Sequence, residues 1–293
     1  MQLPEQTTSS DKITRERLLI SSLTGIAIRD IAFDDDGWDS RAYVIGGGKI
    51  VFKFPRSEAI KKIYPNEIAA LRLAAKLQTA IQIPLVKWTS PDNSYFGYEG
   101  IIGSNGLDII KTLSDSDKRH LGTSIGEFLK IFHRQELPNA PNIAIKDEVD
   151  NLKEKYEAGR QILANLLSDQ EVKKLEIFVT RTLPNQLYEL GISPVLNHGD
   201  LGLWNIIYAD KGHVGFIDFE DTGYYDESKD FIALEDPFLL DAALKAYGND
   251  SHRLRLKIAA RSKIMAFADI VFFAGKNNMS GIEITTTKIK SFI

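Results

Sequence analysis

Along the first third of the chain, short apolar runs recur at a period of two between polar or glycine-rich breaks, a pattern that predicts strands. Between Asp34 and Pro55 the runs "RAYVI" and "KIVFKF" flank Gly46, Gly47 and Gly48, which predicts a hairpin. In the second run Ile50, Phe52 and Phe54 alternate with Val51 and Lys53, so Lys53 falls on the face opposite the three large apolar side chains. Pro65 is expected to interrupt the helical stretch that follows. "NEIAALRLAAKL" restarts it with Asn66 as cap, Glu67 in the first turn, and Ile68, Leu71 and Ala75 along one side. "PLVKWTSPDNSYFGYEGIIGSNG" then returns to strand-like runs broken by Pro, Asn and Gly.

Beyond about Asn105 the period changes. Leu121, Ile125, Phe128 and Phe132 recur at helical spacing, as do Leu152, Tyr156 and Leu163. His120 and His133 on the first of these segments read as exposed or core-edge residues, and neither they nor His213 and His252 have zinc-site spacing. The one strand-like stretch in this helical remainder is Ser193 to Phe219. Within it "NIIY" and "HVGFIDFED", separated by the polar turn "ADKG" with Gly212, predict an antiparallel hairpin. Such a hairpin sets Asn205, at the start of one strand, beside Asp218, just past the end of the other. An amide and a carboxylate are hard oxygen ligands suited to magnesium. Asp200 precedes Asn205 in a loop containing Gly199 and Gly202, and a further acidic group there is unfavourable unless cations or a proton-donating substrate are present. A base, an amide ligand and a metal-binding aspartate, with a lysine and a helical glutamate upstream, match the parts required for phosphoryl transfer.

Composition narrows the picture. A chain of 293 residues with 43% hydrophobic and 26% charged positions is expected to fold as two lobes rather than one core. Net charge of -4 argues against a dedicated nucleic-acid binder and favours a cationic or small neutral partner. The absence of cysteine removes disulfides, thiol nucleophiles and cysteine zinc sites. "MQLPEQTTSSDKITRERLL" lacks the pattern of a secretory signal. "IMAFADIVFFAG" falls short of the ~20 residues a bilayer span needs and carries Asp269, so it reads as a buried helix. A cytoplasmic protein without a membrane partner is expected.

"HGDLGLWN" at 198–205, "IDFED" at 217–221 and "KDF" at 229–231, with "GWDSRAYVI", "VFKFPR" and "NEIAAL" upstream, resemble the aminoglycoside phosphotransferase family, within the protein-kinase-like fold. The resemblance runs in family order from about Gly37 to Phe231. It implies an α+β, bilobal fold: an antiparallel-sheet nucleotide-binding lobe over residues 1–98, a hinge over 99–104, and a mainly helical catalytic and substrate-binding lobe over 105–293. It further implies that Asp200 orients or deprotonates the acceptor hydroxyl, and that Asn205 and Asp218 hold Mg2+ against ATP or GTP. Lys53 would hold the α- and β-phosphates with Glu67 as its partner, although a lysine–glutamate pair also occurs as a plain surface ion pair. His198 would support the catalytic loop and Asp230 anchor it. Glu99, Gly100, Ile101 and Ile102, in the segment from Phe96, would meet the purine.

The chain also departs from the family pattern. The phosphate-covering loop has Gly37 followed by "WDS", leaving Ser40 and nearby backbone amides as phosphate contacts, while Asp34, Asp35 and Asp36 would repel phosphates if turned inward. Glu220 stands where many relatives carry glycine, and Leu203 and Trp204 where residues are usually smaller or polar, which leaves the acceptor open: an aminoglycoside first, or a macrolide, choline, a sugar or another metabolite. A catalytically silent nucleotide-binding regulator is a further alternative. From Glu220 to Asp241 there are eight acidic residues against one lysine. They form either a solvated surface or an electronegative rim for a polyamine-like substrate, with Glu220, Glu235 and Asp236 as candidate contacts.

Overall fold

The computed structural model describes residues 9–35, 37, 39–209 and 213–293. Asp36, Trp38 and the turn at 210–212 that includes Gly212 lie outside the described residues. The chain divides into two compact units, Met1–Ile109 with Ile206–Glu220, and Ile110–Asn205 with Asp221–Ile293.

The first unit opens with α1 (Ser9–Thr24), followed by β1 (Ile31–Asp34), β2 (Ser40–Ile45) and β3 (Ile50–Pro55). The hairpin forms as its alternation predicts, with Lys53 opposite Ala42 and the three glycines at positive φ in the turn, where side chains are disfavoured. Next come α2 (Glu58–Ala74), β4 (Ile81–Gln82), β5 (Leu85–Thr89), β6 (Phe96–Glu99), β7 (Ser104–Asn105) and α3 (Gly106–Ile109). Five strands make an antiparallel sheet in the order β1-β2-β3-β6-β5. One face packs Ile31, Tyr43, Ile45, Phe52 and Phe54 against Ile20 of α1. Glu16 fixes α1 to the sheet: its carboxylate accepts from Arg41 at 2.6 and 3.0 Å and from the Tyr43 hydroxyl at 2.7 Å.

Pro65 does not interrupt α2, contrary to the sequence expectation. The helix starts behind Ser57, whose Oγ accepts from the Ile60 amide, and runs straight through the proline. Proline in a helix interior costs about 3 kcal/mol. That is offset by one continuous buried face of Tyr64, Ile68, Ala70, Leu71 and Ala74, in which each large apolar side chain contributes ~1.5–3 kcal/mol. Asn66 is consequently no cap, and Glu67 lies mid-helix, where its backbone is held on both sides.

The second unit carries α4 (Asp115–Phe132), α5 (Ile145–Leu166), α6 (Asp169–Ile177), α7 (Leu183–Leu190) and β8 (Pro194–Asn197). The chain returns to the first unit with β9 (Ile206–Tyr208) and β10 (Val214–Phe216), the predicted hairpin, in register Tyr208↔Val214 to Ile206↔Phe216. These two strands lie between β4 and β7 in a four-stranded sheet. Back in the second unit, β11 (Gly223–Asp226) pairs antiparallel with β8, a strand the sequence pattern did not predict, since four residues between acidic turns carry little periodic signal. α8 (Pro237–Tyr247), α9 (His252–Gly275) and α10 (Met279–Lys290) complete it. Leu152, Tyr156 and Leu163 of α5 join Leu183, Leu187, Phe267 and Ile270 in its core. Among the described residues no helix is long and apolar enough to cross a membrane.

Candidate active site

In the first unit the alternation of β3 buries Phe52 and Phe54 in the sheet core and turns Lys53 to the other face, where it is 8% exposed. Its ammonium donates to Glu67 at 2.7 Å, Asp218 at 2.9 Å and Glu220 at 3.2 Å. Three elements supply this cluster: a strand, a mid-helix position, and the segment after β10. Asp218 holds φ at +65°, a left-handed conformation that costs a non-glycine residue ~1 kcal/mol or more and that packed surroundings must sustain.

Burial alone would weaken the Lys53 ammonium, but Asp218, Glu67 and Glu220 outweigh it and hold the pKa well above the usual lysine value. Glu67, 1% exposed, is pushed up to about 8 by burial, with Asp218 and Glu220 adding repulsion that Lys53 only partly cancels. Burial likewise raises Glu220. One ammonium thus faces three carboxyl groups, an excess of acidic oxygen relieved by a proton at neutral pH or by an added cation.

Ser40, expected at a phosphate, is buried with its hydroxyl 2.9 Å from that of Tyr64. Beyond β6, Glu99 pairs with Lys87 at 3.2 Å, the Gly100 amide donates to the Lys49 carbonyl, and Ile102 is exposed. A Cβ on Gly100 would lie 2.2 Å from the Gly48 carbonyl oxygen, so the three-glycine turn and the proposed hinge segment are in direct contact.

In the second unit the loop after β8 is built around Asp230. This fully buried carboxylate accepts from the backbone amides of His198 at 2.8 Å and Gly199 at 2.9 Å, and from His133 Nε2 at 3.0 Å. Burial opposes its charge, but His133 and the other donors outweigh that and hold its pKa below the ordinary carboxylate value. Since the carboxylate only accepts, His133 Nε2 carries the proton and Nδ1 faces the Tyr247 hydroxyl at 3.0 Å. His133 is therefore buried and structural, not the exposed or core-edge residue the helical pattern indicated. Gly199 has φ +91°, and a Cβ there would lie 2.1 Å from the Asp221 carbonyl oxygen.

That anchored loop presents Asp200. Its Oδ2 accepts from Trp204 Nε1 and from Asn205 Nδ2, both at 2.9 Å, and its carbonyl accepts from Asn205 Nδ2 at 2.8 Å. Burial raises the Asp200 pKa, opposed by the Trp204 hydrogen bond and by His198. With Nδ2 donating twice to Asp200, Oδ1 is the oxygen of the Asn205 amide left to accept from or bind another group.

The phosphotransferase enzyme family model matches residues 30–256, more than three quarters of the chain. The chain belongs to the phosphotransferase enzyme family. Its fold is α+β and protein-kinase-like. It is similar to an APH(2")-IIia complex with GDP and kanamycin at 19% identity and TM-score 0.76, over 95% of this chain and 98% of that one. A streptomycin–ATP–APH(2")-IIa ternary complex matches at 19% identity and TM-score 0.66, over 99% of each chain. Macrolide 2'-phosphotransferase MphH from Brachybacterium faecium matches at 14% and 0.61, over 95% of this chain and 98% of that one.

For a divalent cation in this phosphotransferase the donor chemistry fits. One oxygen each from Glu67, Asp218 and Glu220 lie within 4.8 Å of one another, and buried Glu67 Oε2 has no hydrogen-bond partner among the described residues. Hard oxygen donors with surplus negative charge are what magnesium requires.

The acidic run is largely compensated. Glu220 is on Lys53, Asp226 contacts Lys257 at 2.7 Å and Arg261 at 3.3 Å, and Glu235 pairs with Lys288. Asp236 caps α8 through the Phe238 and Leu239 amides and meets Lys118 at 2.8 Å, while Asp241 meets Arg255 at 2.8 Å. Sequence reasoning missed two residues that shape the site. His133 carried no signal beyond its place at a helix end; Trp204 was visible only as an unusually large residue in its loop.

Proposed function

We propose that this phosphotransferase moves the γ-phosphoryl group of ATP or GTP to a hydroxyl of a small molecule, with an aminoglycoside as the first acceptor to test. The observation that carries the reading is Lys53, an ammonium held 2.7 Å from Glu67 and 2.9 Å from Asp218, residues far apart in sequence. A buried, permanently charged lysine fixed by a helical glutamate is a phosphate-binding group; a carboxylate beside it is a metal-binding one. The hinge residues Glu99 to Ile102 supply backbone groups for the base. Asp200 receives the proton of the acceptor hydroxyl as its oxygen bonds to the γ-phosphorus, the bond to the β,γ-bridging oxygen breaks, and the nucleoside diphosphate leaves. By the family resemblance, Asp218, with Glu220 beside it, and Asn205 through Oδ1 would be the oxygen donors that hold magnesium. When bound, the ion neutralises phosphate charge that otherwise opposes attack. Positioning and charge compensation account for the catalysis, because a loose phosphoryl transition state needs little covalent help. A nucleoside-triphosphate donor puts the reaction in the cytoplasm, and phosphorylating an aminoglycoside there would confer resistance.

A second reading has its own support. The salt bridges of Glu235, Asp236 and Asp241 leave fewer free carboxylates for a polycation, which favours a less charged acceptor such as a macrolide.

The test measures nucleoside diphosphate release from ATP or GTP with magnesium across aminoglycosides, macrolides, choline and sugars. Acceptor-dependent release is expected, and Asp200→Asn should lower turnover by ~10²–10⁴ with nucleotide binding retained. Nucleotide binding without turnover on any acceptor supports a silent regulator instead, and an Asp200→Asn variant with full turnover removes Asp200 as the base.

A further inference from the structure

The two oxygens of Asp200 are in different situations. Oδ2 accepts from Trp204 Nε1 and Asn205 Nδ2, each at 2.9 Å. Oδ1 accepts no hydrogen bond among the described residues. The indole reaches the carboxylate because residues 200–205 wind tightly: the Gly202 amide donates to the Asp200 carbonyl at 3.0 Å and the Asn205 amide to the Gly202 carbonyl at 2.9 Å. Trp204, four residues along, is thereby folded back over its own loop. It lies so close to Gly202 that a Cβ there would sit 2.3 Å from indole Cζ2 and 2.4 Å from Cη2. A glycine at 202 is what gives the ring its place.

We propose that Trp204 is a positioning residue for Asp200, its indole N–H fixing Oδ2 together with the Asn205 amide, so that Oδ1 alone takes the proton of the acceptor hydroxyl. The proposal rests on the reading of Asp200 as the base. A carboxylate free to rotate exposes either oxygen, and an unfixed base samples orientations that do not lead to transfer; two donors on one oxygen lock the torsion. Indole is suited to this because it donates one hydrogen bond and accepts none. The residue acts through Asp200 and is not assigned contact with substrate.

Trp204→Phe keeps an aromatic ring and removes the donor. With ATP or GTP and kanamycin, or with a macrolide if kanamycin is not phosphorylated, kcat should fall about 10- to 100-fold, the range for a hydrogen bond to a charged group. KM for nucleotide should stay within about two-fold, as expected for a group that acts on the reacting carboxylate alone. In an Asp200→Asn background the same change should have no further effect on the residual rate, because the group it orients is gone. Gly202→Ala, which pushes the indole off its place, should reproduce the kcat loss in wild type and add little to Trp204→Phe. A kcat within two-fold of wild type for Trp204→Phe, or an undiminished effect beside Asp200→Asn, overturns the proposal while leaving Asp200 as base intact.

One measurement needs no acceptor. The chain has three tryptophans, so 15N-tryptophan labelling gives three indole signals, with Trp204→Phe identifying its own. In Asp200→Ala the Trp204 signal should move upfield as its charged acceptor disappears while the Trp88 signal stays. An unmoved Trp204 signal would mean the bond is not made.

Discussion

Replacing Lys53 by Met keeps the volume of the side chain and removes the ammonium that opposes Glu67, Asp218 and Glu220 in their shared cluster. In the wild type, Glu67 at about 8 already holds its proton most of the time at pH 7. The variant must therefore deal with Glu220, whose side chain is 13% exposed, and with half-exposed Asp218. Asp218 can turn to water. Glu220 either stays charged without a partner or takes up a proton, and protonation sets the ceiling. From its ordinary value of 4.5 to pH 7, at about 1.4 kcal/mol per pH unit, that ceiling is about 3.4 kcal/mol. At pH 5 the same reasoning leaves about 0.7 kcal/mol. The sign follows because the variant binds more protons when folded than when unfolded, so its stability falls relative to wild type as pH rises. Urea unfolding followed by circular dichroism without divalent cations should give a loss of roughly 2–3.5 kcal/mol at pH 7 and under about 1 kcal/mol at pH 5. An equal loss at both pH values, or none at pH 7, would refute the account of the cluster as an excess of carboxylates around one cation.

Two further outcomes follow from the second unit. Asp230→Ala removes the acceptor of two backbone amides and of His133, all buried, and should cost about 2–5 kcal/mol in urea unfolding together with most turnover; an unchanged midpoint would show that the loop has another anchor. Gly126→Ala in α4 would put a Cβ 2.1 Å from the Ala243 carbonyl oxygen of α8. The ~1 kcal/mol gained in helix propensity should be outweighed by overpacking of roughly 1–3 kcal/mol, and a raised melting temperature would contradict the close approach of these helices.

How much was legible in the sequence depended on the range of the forces involved. The face of Lys53 and both hairpins follow from a period of two and from turn residues, which are local. Glu67 was found as a residue but misplaced within its helix, because the rule that proline ends helices is local and the burial of Tyr64, Ile68 and Leu71 that overrides it is not. His133 could not be recognised, since its role comes from Asp230 and Tyr247, about a hundred residues further on. The acidic run likewise read as surplus charge only while Lys118, Arg255, Lys257 and Lys288 were unplaced. Asp200, Asn205 and Asp218 stood out because oxygen-bearing side chains beside glycine turns and at hairpin ends form a local pattern.

The sheet ordered β4-β10-β9-β7 has a consequence for how the polypeptide is made. Its outer strands come from residues before 106 and its inner two from beyond 205, so nothing joins the outer pair until the ribosome has released nearly three quarters of the chain. A fragment ending at Ile109 would carry two orphan strand edges and a lysine awaiting its late aspartate, which makes that boundary a poor place to cut the protein for split-reporter or fragment-complementation work.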